Sequence, residues 1–411
     1  LVGKKKQKTK EEIEADIKEA SEALEFNLSD IEGIGPTKQK KLNEHGIYTP
    51  SDLMVKGARE LSEIIDMPLP ATSKIVESAK RFLQNKDVVG KTTLSARDLL
   101  NYQTKTKYNL HTGVTEFDEI LGDGYESGVI TELYGRDGSG KTQACIVASL
   151  EAQMPYKVKC FKCKKTYDDQ ELERCPDCMV KTYKVGGLSK KDKPCRVIYM
   201  DTEGSFDPKR ALEIIYEREM VPIKEQAKSE IGKVPKEPLD EESVEFALQM
   251  LDRIIVKKPK SSAEQLLQDE ELGKYIDGEE GEEKARLLIV DSLTGPFRMD
   301  YGARGDLSDR QALIKKHVKH LSRIADVYNV VCLVTNQVLQ DPGAGMYADP
   351  TKPIGGMIVG HTSKNRIYLK AGGVKDDSRK VTAILQDSPN HSIDEVTLQL
   401  TPKGIEYLKS T

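Results

Sequence analysis

The chain has 411 residues, 37% of them hydrophobic and 32% charged, with a formal net charge of −4. This is an ordinary soluble composition, somewhat rich in charge, and long enough for two or three domains around a sizeable core. It excludes a globally basic nucleic-acid binder, so any DNA affinity must come from local basic surfaces. The longest apolar runs, such as 287–290 and 330–334, are far too short to cross a bilayer, and no membrane partner is expected. Residues 1–27 are read as a charged tail or helix; they lack the apolar stretch of a secretory signal. The seven cysteines are therefore expected to be reduced thiols or metal ligands in a cytoplasmic protein.

In chain order, residues 28–85 predict a small all-helical domain of four or five short helices. The first follows the tight turn at Gly33-Ile-Gly35, with Pro36 in its first turn and Gly46 just past its end. Thr49-Pro50-Ser51-Asp52 starts another, with Leu53, Leu61, Ile64 and Ile65 at helical spacing. Residues 86–108 read as a polar linker with a short helical stretch near 96–100. From 109 to 411 the pattern changes. Apolar strands at 129–134, 196–200, 286–290, 330–335, 366–370, 380–385 and 396–400 alternate with helices at 141–153, 208–219, 241–252 and 309–327. The alternation implies an α/β fold: a mostly parallel sheet flanked by helices, with the last three strands as an antiparallel-leaning extension. Two segments interrupt it, 157–184 rich in Lys and Cys and 222–240 rich in Lys, Glu and Pro, and both read as surface insertions.

Gly135, Arg136, Asp137, Gly138, Ser139, Gly140, Lys141 and Thr142 fit the spacing of a phosphate-binding loop, between an apolar strand and a helix. The glycines let backbone N–H groups turn inward around phosphate oxygens, and the helix adds its positive end. Lys141 is placed to reach the β- and γ-phosphates of ATP, and Thr142 to bind Mg²⁺. A second apolar strand ends in Asp291, the expected holder of that Mg²⁺ through water. A third ends in Asp201-Thr202-Glu203, and Glu203 is the candidate to orient or deprotonate the attacking water. Gln337, after the strand at 330–335, is a neutral amide placed to sense the γ-phosphate.

Cys160-Phe-Lys-Cys163 and Cys175-Pro-Asp-Cys178 form a paired C-x-x-C arrangement. Four thiolates suit tetrahedral Zn²⁺ and leave no open position, so the ion's role is structural. Lysines 157, 159, 162, 164, 165, 181 and 184 surround it, either as an added DNA or partner surface or as a solvated face. Cys145, Cys195 and Cys332 fall in the core pattern.

The run from Tyr134 to Gln143, then Asp201 to Gly204 with Phe206, Pro208 and Arg210, then Leu287 to Leu293, resembles the archaeal RadA recombinases and their eukaryotic strand-exchange relatives. So do Phe297-Arg298, Gly302, Arg304-Gly305, Arg310-Gln311, Thr335 to Val338 and Asp349 to Gly356. The resemblance covers about 28–411 apart from the two insertions. It implies a RecA-like P-loop ATPase core over 109–411, a helix–hairpin–helix domain over 28–85 and a polymerisation segment within 86–108. It further implies a DNA-dependent ATPase that assembles with ATP and Mg²⁺ as a helical filament or ring on single-stranded DNA. Such an enzyme pairs that strand with double-stranded DNA in recombinational repair, in the nucleoid of an archaeal cell.

Two DNA-facing loops follow from the resemblance. One spans 298–308, with Arg298, Arg304 and then Arg310, mobile at Gly302 and Gly305, and with Ser308 and Gln311 as a capping box restarting the helix. The other spans 339–353 and carries Gly343, Gly345 and Tyr347. Asp349, Pro353 and His361 are implied to approach ATP from the next protomer, and Arg210 to lie by the adenine, with Gln143 beside the phosphate loop. The amides of Gly33 and Gly35, with Lys38, Lys40 and Lys41 nearby, offer a DNA phosphate site, and a protein-interaction domain is the other reading. This chain departs from the pattern in three places. Thr93 stands where the polymerisation aromatic is expected when Ala96 is aligned, with Leu94 as a substitute; Asp207 replaces an Arg; and Arg136-Asp137 are unusual in the loop. A recombinase paralogue that binds ATP and a partner without exchanging strands is the alternative. Bacterial zinc-containing branch-migration helicases resemble the chain less.

Overall fold

The computed structural model describes residues 26–86, 95–191, 193–218, 220, 241–278, 283–340, 351–375 and 378–409. The tail at 1–25, Thr93, Leu94, the insertion at 222–240 and the stretch holding Gly343, Gly345, Tyr347 and Asp349 lie outside them. The chain divides into two compact units. One holds the described residues of Leu1–Thr93 with Glu270–Lys284, the other those of Leu94–Asp269 with Ala285–Thr411.

The first unit is helical: Pro36–Glu44, Pro50–Ile65, Leu69–Asn85 and Leu272–Asp277. Pro36 and Pro50 start their helices because their fixed φ suits the first turn, where no N–H is needed. Thr49 accepts from the Asp52 amide at 3.2 Å while Asp52 accepts from the Thr49 amide at 2.9 Å, a reciprocal cap that contributes about 1 kcal/mol. Gly57, at φ 78°, kinks the second helix. Leu28, Ile31, Leu42, Leu53, Leu61, Ile75 and Ala79 fill the core.

The strands of the second unit, in chain order, are β1 (Tyr108–Leu110), β2 (Tyr125–Glu126), β3 (Ile130–Tyr134), β4 (Tyr156–Cys160), β5 (Thr166–Tyr167), β6 (Thr182–Gly186), β7 (Arg196–Asp201) and β8 (Ile254–Lys257). Then come β9 (Ala285–Asp291), β10 (Val331–Asn336), β11 (Val338–Gln340), β12 (Thr351–Pro353), β13 (Asn365–Lys375), β14 (Ser378–Asp387), β15 (Asp394–Thr401) and β16 (Gly404–Tyr407). The main sheet has the order β16-β15-β14-β13-β3-β10-β9-β7-β8. From β13 to β8 every pairing is parallel; from β13 to β16 every pairing is antiparallel. Strands β3 and β10 are buried along their whole length, as strands covered on both faces must be.

Several expectations need refinement or correction. The first of the three C-terminal strands opens the antiparallel extension on one side and joins the parallel part of the sheet on the other. β13 follows the helix Gly356–Thr362, a crossover that returns the chain parallel to β3, and only its hairpin to β14 reverses the direction. Ser308 does not cap a helix: Arg304–Asp306 is a 3₁₀ turn running straight into the helix Leu307–Tyr328, so Ser308 is already inside it. The stretch near 96–100 is a full helix, Ala96–Thr106, capped by Ser95.

The cysteine segment is not an appendage. It contributes β4, β5 and β6 to a five-stranded sheet of order β2-β1-β6-β4-β5, in which β6 runs parallel to β1. Tyr156, Val158 and Cys160 alternate into the interior, and Tyr156 packs edge-on against Tyr108 at 5.3 Å.

Candidate functional site

β3 ends in the loop from Gly135 to Gly140, and the helix Lys141–Glu151 starts directly after it. A Cβ at Gly135 would lie 2.3 Å from the Leu369 carbonyl oxygen of β13, so only glycine lets the loop pass its neighbouring strand. Gly138 and Gly140 take positive φ. Arg136 and Asp137 are exposed, while Ser139 and Lys141 are buried. The Lys141 ammonium donates to the carbonyls of Gly135 and Arg136 at 3.0 and 3.1 Å. Burial pulls its pKa below the usual lysine value, and Asp137, Asp291 and Glu203 hold it up.

Asp291, 2% exposed at the end of β9, sits at the centre of the site. Four hydroxyls donate to its carboxylate: Thr142 at 2.8 Å, Tyr199 at 2.8 Å, Ser205 at 3.2 Å and Thr335 at 2.5 Å. They arrive from the loop helix, from β7 and the turn after it, and from β10. The strand order β3-β10-β9-β7 is what brings them together. A buried anion with this many fixed donors stays in place and keeps an oxygen-rich ligand face beside Thr142, which fits a hydrated Mg²⁺.

From Asp291 a chain of polar contacts runs outward. Ser292 donates to Glu203 Oε1 at 2.6 Å, and Gln337 Nε2 donates to the same oxygen at 2.9 Å. Arg298 in turn donates to Gln337 Oε1. Asn336 fixes the base of this chain. It donates to Glu132 and to the Ile354 carbonyl, accepts from Thr294, and its carbonyl accepts from the Gly135 amide.

The Rad51 family model matches residues 103–193 and 249–408. The DNA repair and recombination protein RadA of Cenarchaeum symbiosum is 34% identical over 93% of this chain and 79% of its own length. Those of Methanoculleus marisnigri and Halobacterium salinarum are 33% and 31% identical over 93% of this chain and 99% of theirs. The chain belongs to the Rad51 family.

The residues that Rad51-family resemblance singles out fall as follows. Arg210 donates to Gln143 at 2.9 Å and to the Pro402 carbonyl at 2.9 Å, which locks it between the loop helix and the β15–β16 turn. Asp207 caps the helix that carries Arg210 by accepting from the Lys209 amide at 2.9 Å, so this departure has a local structural role. Arg310 donates to the Tyr301 carbonyl at 3.2 Å, and Arg304 lies on the 3₁₀ turn at Arg304–Asp306. Pro353 ends β12, paired with Val338 of β11, and His361 is exposed on the helix Gly356–Thr362. Gly33 takes φ 94°, Lys38 donates to its carbonyl at 2.7 Å, and Gly35 is the N-cap of Pro36–Glu44.

Sequence reasoning did not single out Tyr199, Ser205, Ser292 or Thr335. It also missed Arg379, which reaches from β14 to donate to the Gly138 carbonyl at 2.9 Å.

In the cysteine module Cys160 and Cys178 sulfurs lie 3.4 Å apart, Cys163 and Cys175 3.5 Å, and all four sulfurs fall within 4.8 Å of one another. A tetrahedral Zn²⁺ with bonds of about 2.3 Å needs sulfur separations of about 3.8 Å, so the set fits one ion. The Tyr167 hydroxyl, 3.1 Å from Cys175, draws that thiol down to about 6, towards the thiolate a metal requires. Several of the surrounding lysines have protein partners, most of them at the surface. Lys159 pairs with Asp123, Lys157 with Asp168 and Lys165 with Asp177, while Lys181 donates to Asn101 of the helix Ala96–Thr106.

Proposed function

We propose that this chain is an ATP-dependent DNA recombinase that assembles on single-stranded DNA and pairs it with duplex DNA in recombinational repair. The observation that carries the reading is the path Asp291–Ser292–Glu203–Gln337–Arg298, one peptide bond followed by three hydrogen bonds, which joins the nucleotide end of the sheet to the short helix Gly295–Asp300 after β9, where Arg298 stands instead of on the loop expected from 298 onward. In this reading Lys141 neutralises charge on the β- and γ-phosphates, Thr142 and Asp291 hold Mg²⁺, and Arg210 and Gln143 border the base. Mg²⁺ supplies charge neutralisation on the transferred phosphoryl group. Glu203 orients a water and takes its proton as the water oxygen bonds to the γ-phosphorus and the bond to the β-phosphate oxygen breaks, giving ADP and phosphate.

Arg298, Arg304 and Arg310 contact the DNA backbone, joined by Tyr347, and the amides of Gly33 and Gly35 hold a phosphate in a helix–hairpin–helix arrangement. Asp349, Pro353 and His361 reach the nucleotide of a neighbouring subunit in the filament or ring. The four cysteines hold a structural Zn²⁺. A phosphate that attracts Arg298 removes it from Gln337, so DNA binding and the position of the γ-phosphate sensor are coupled.

The test is ATP turnover and strand exchange, each with and without single-stranded DNA, for the parent and for Arg298→Ala. The parent should exchange strands and turn over faster with DNA, and the variant should lose that acceleration. A variant stimulated as fully as the parent rules out the Gln337 path. A parent that is not stimulated leaves the non-exchanging paralogue as the function.

A further inference from the structure

A hollow of about 380 Å³ lies where the cysteine module, the helix Ala96–Thr106 and the start of β9 meet. Five cationic side chains line it: Lys105, Lys181, Lys184, Lys190 and Arg286. Glu171 and Glu173 line it too, so the formal excess is three positive charges, five minus two. Among the described residues none of the five cations makes an ion pair. Lys181 donates to Asn101 Oδ1 at 2.6 Å; Lys184 donates to the Lys105 carbonyl at 2.6 Å and the Tyr108 hydroxyl at 3.3 Å. These acceptors are neutral. The Arg286 guanidinium stands over the Tyr108 ring, 5.1 Å from its centre. The outer lysines of the same module, 157, 159 and 165, all have carboxylate partners. The module thus pairs three of its outer cations with carboxylates, while those around the hollow outnumber its two carboxylates and make no ion pair with them.

Clustered cations repel one another, and a concave site with low-dielectric walls concentrates their field on whatever enters. The occupant that offsets this is an anion with several acceptor oxygens. The aromatic walls narrow the choice. Tyr108 and Tyr156 are 6% and 5% exposed, packed edge-on against each other, and Lys184 already covers the Tyr108 ring at 4.3 Å. Tyr183, the third aromatic of the lining, has Phe161 against its ring at 4.3 Å and the Lys164 ammonium 5.8 Å from its centre, so recognition rests on charge more than on base identity.

We propose that this hollow is a second phosphate-binding site, which takes a phosphodiester of a nucleic-acid backbone or a free phosphate compound. It is separate from the glycine-rich loop: Arg286 and Asp291 lie near opposite ends of β9, five residues or roughly 16 Å apart. Its nucleic-acid source rests on the recombinase reading; the site itself does not.

Two arms test it with the full chain, using Lys190→Gln and Arg286→Gln singly and together. In the first, affinity for single-stranded and duplex DNA is measured with ATP over a salt series. Each lost phosphate contact lowers the slope of log affinity against log salt by about 0.7 on single strands and about 0.9 on duplex. The double variant should therefore lose about 1.4 or about 1.8. In the second arm, thermal protection by pyrophosphate is measured in Lys141→Ala, where the glycine-rich loop is disabled, and should vanish when Arg286→Gln is added. A reduced DNA slope identifies the occupant as a nucleic-acid backbone. An intact slope with lost pyrophosphate protection identifies a free phosphate compound. An intact slope, with pyrophosphate protection either missing from Lys141→Ala or unchanged by both substitutions, overturns the proposal. Lys190 is exposed, so Lys190→Gln keeps the test decisive if Arg286→Gln does not fold. A parent that binds no DNA refutes the recombinase reading, and the pyrophosphate arm still decides this site.

Discussion

Asp291 and Arg286 share β9, five residues apart, and their surroundings differ in kind. Asp291 is wrapped by four hydroxyl donors from three neighbouring segments, and Lys141 beside it is held by two backbone carbonyls. Arg286 faces an aromatic ring, in the company of four lysines that have only neutral partners where a bond is seen. Groups held by many fixed dipoles are preorganised: little reorganisation is left to be done when a substrate arrives. Cations gathered in excess of the carboxylates beside them are set up to bind an anion from outside. The first arrangement suits bond making and the second suits attachment, so substitutions at the two ends should differ in what they change as well as by how much.

The largest effect is expected at Glu203. Glu203→Gln keeps the shape and the contact with Ser292 but removes a base, so turnover should fall by about 10²- to 10⁴-fold while ATP binding persists. Complexes with DNA should live longer, since turnover releases them. Steady-state hydrolysis alongside DNA dissociation rates measures both, and an unchanged rate would place the base elsewhere. Lys141→Ala should follow, costing about 10²- to 10³-fold in turnover by loss of transition-state charge stabilisation. Unlike Glu203→Gln it should also weaken nucleotide binding, which calorimetry reads directly.

Replacing Cys160 and Cys163 by Ser should abolish zinc in metal analysis and speed hydrogen exchange in β4 to β6. Because β6 pairs with β1 and Lys181 reaches the helix Ala96–Thr106, faster exchange should spread to both. Turnover should fall less than in either nucleotide-site variant. A loss as deep as that of Lys141→Ala would mean that the two ends of the sheet are not independent. The smallest effect is expected from Asp207→Ala, which removes one helix cap and should lower unfolding free energy by about 1 kcal/mol, read from denaturant titration.

How much of this was legible depended on the range of the interactions. The loop from Gly135 to Thr142 could be read because its strand, turn and helix are consecutive, and local rules fix such a unit. Asp291 and Glu203 could be read because each ends an apolar run. The hydroxyls around Asp291 could not. Tyr199, Ser205 and Thr335 sit 92, 86 and 44 residues from it, and only the strand order makes them neighbours. The chain from Glu203 through Gln337 to Arg298 was visible as three separate candidates but not as one path. The lysines at 157, 162, 164 and 165 are exposed, as a surface reading expects, but the half-buried pairing of Lys159 was not visible, because Asp123 lies 36 residues away. The capping box at Ser308 misled for the converse reason: a correct local pattern lost to a 3₁₀ turn that had already started the helix.

The register that closes the module has one more consequence. Its first and last strands meet with Tyr156 opposite Gly186, so the chain enters and leaves the module at neighbouring positions, about 5 Å apart as across any antiparallel pair. A segment with adjoining ends is a graft in the surgical sense. It can be added to a host, or cut out and replaced by a tight hairpin, without rethreading the strands that flank it. Excising residues 157–185 and joining their neighbours through a short turn would keep that thread, but it would uncover β1 where β6 pairs with it and remove the buried Val158. Transplanting the same stretch between the equivalent positions of another family member would give that protein the four cysteines, together with Lys181 and Lys184.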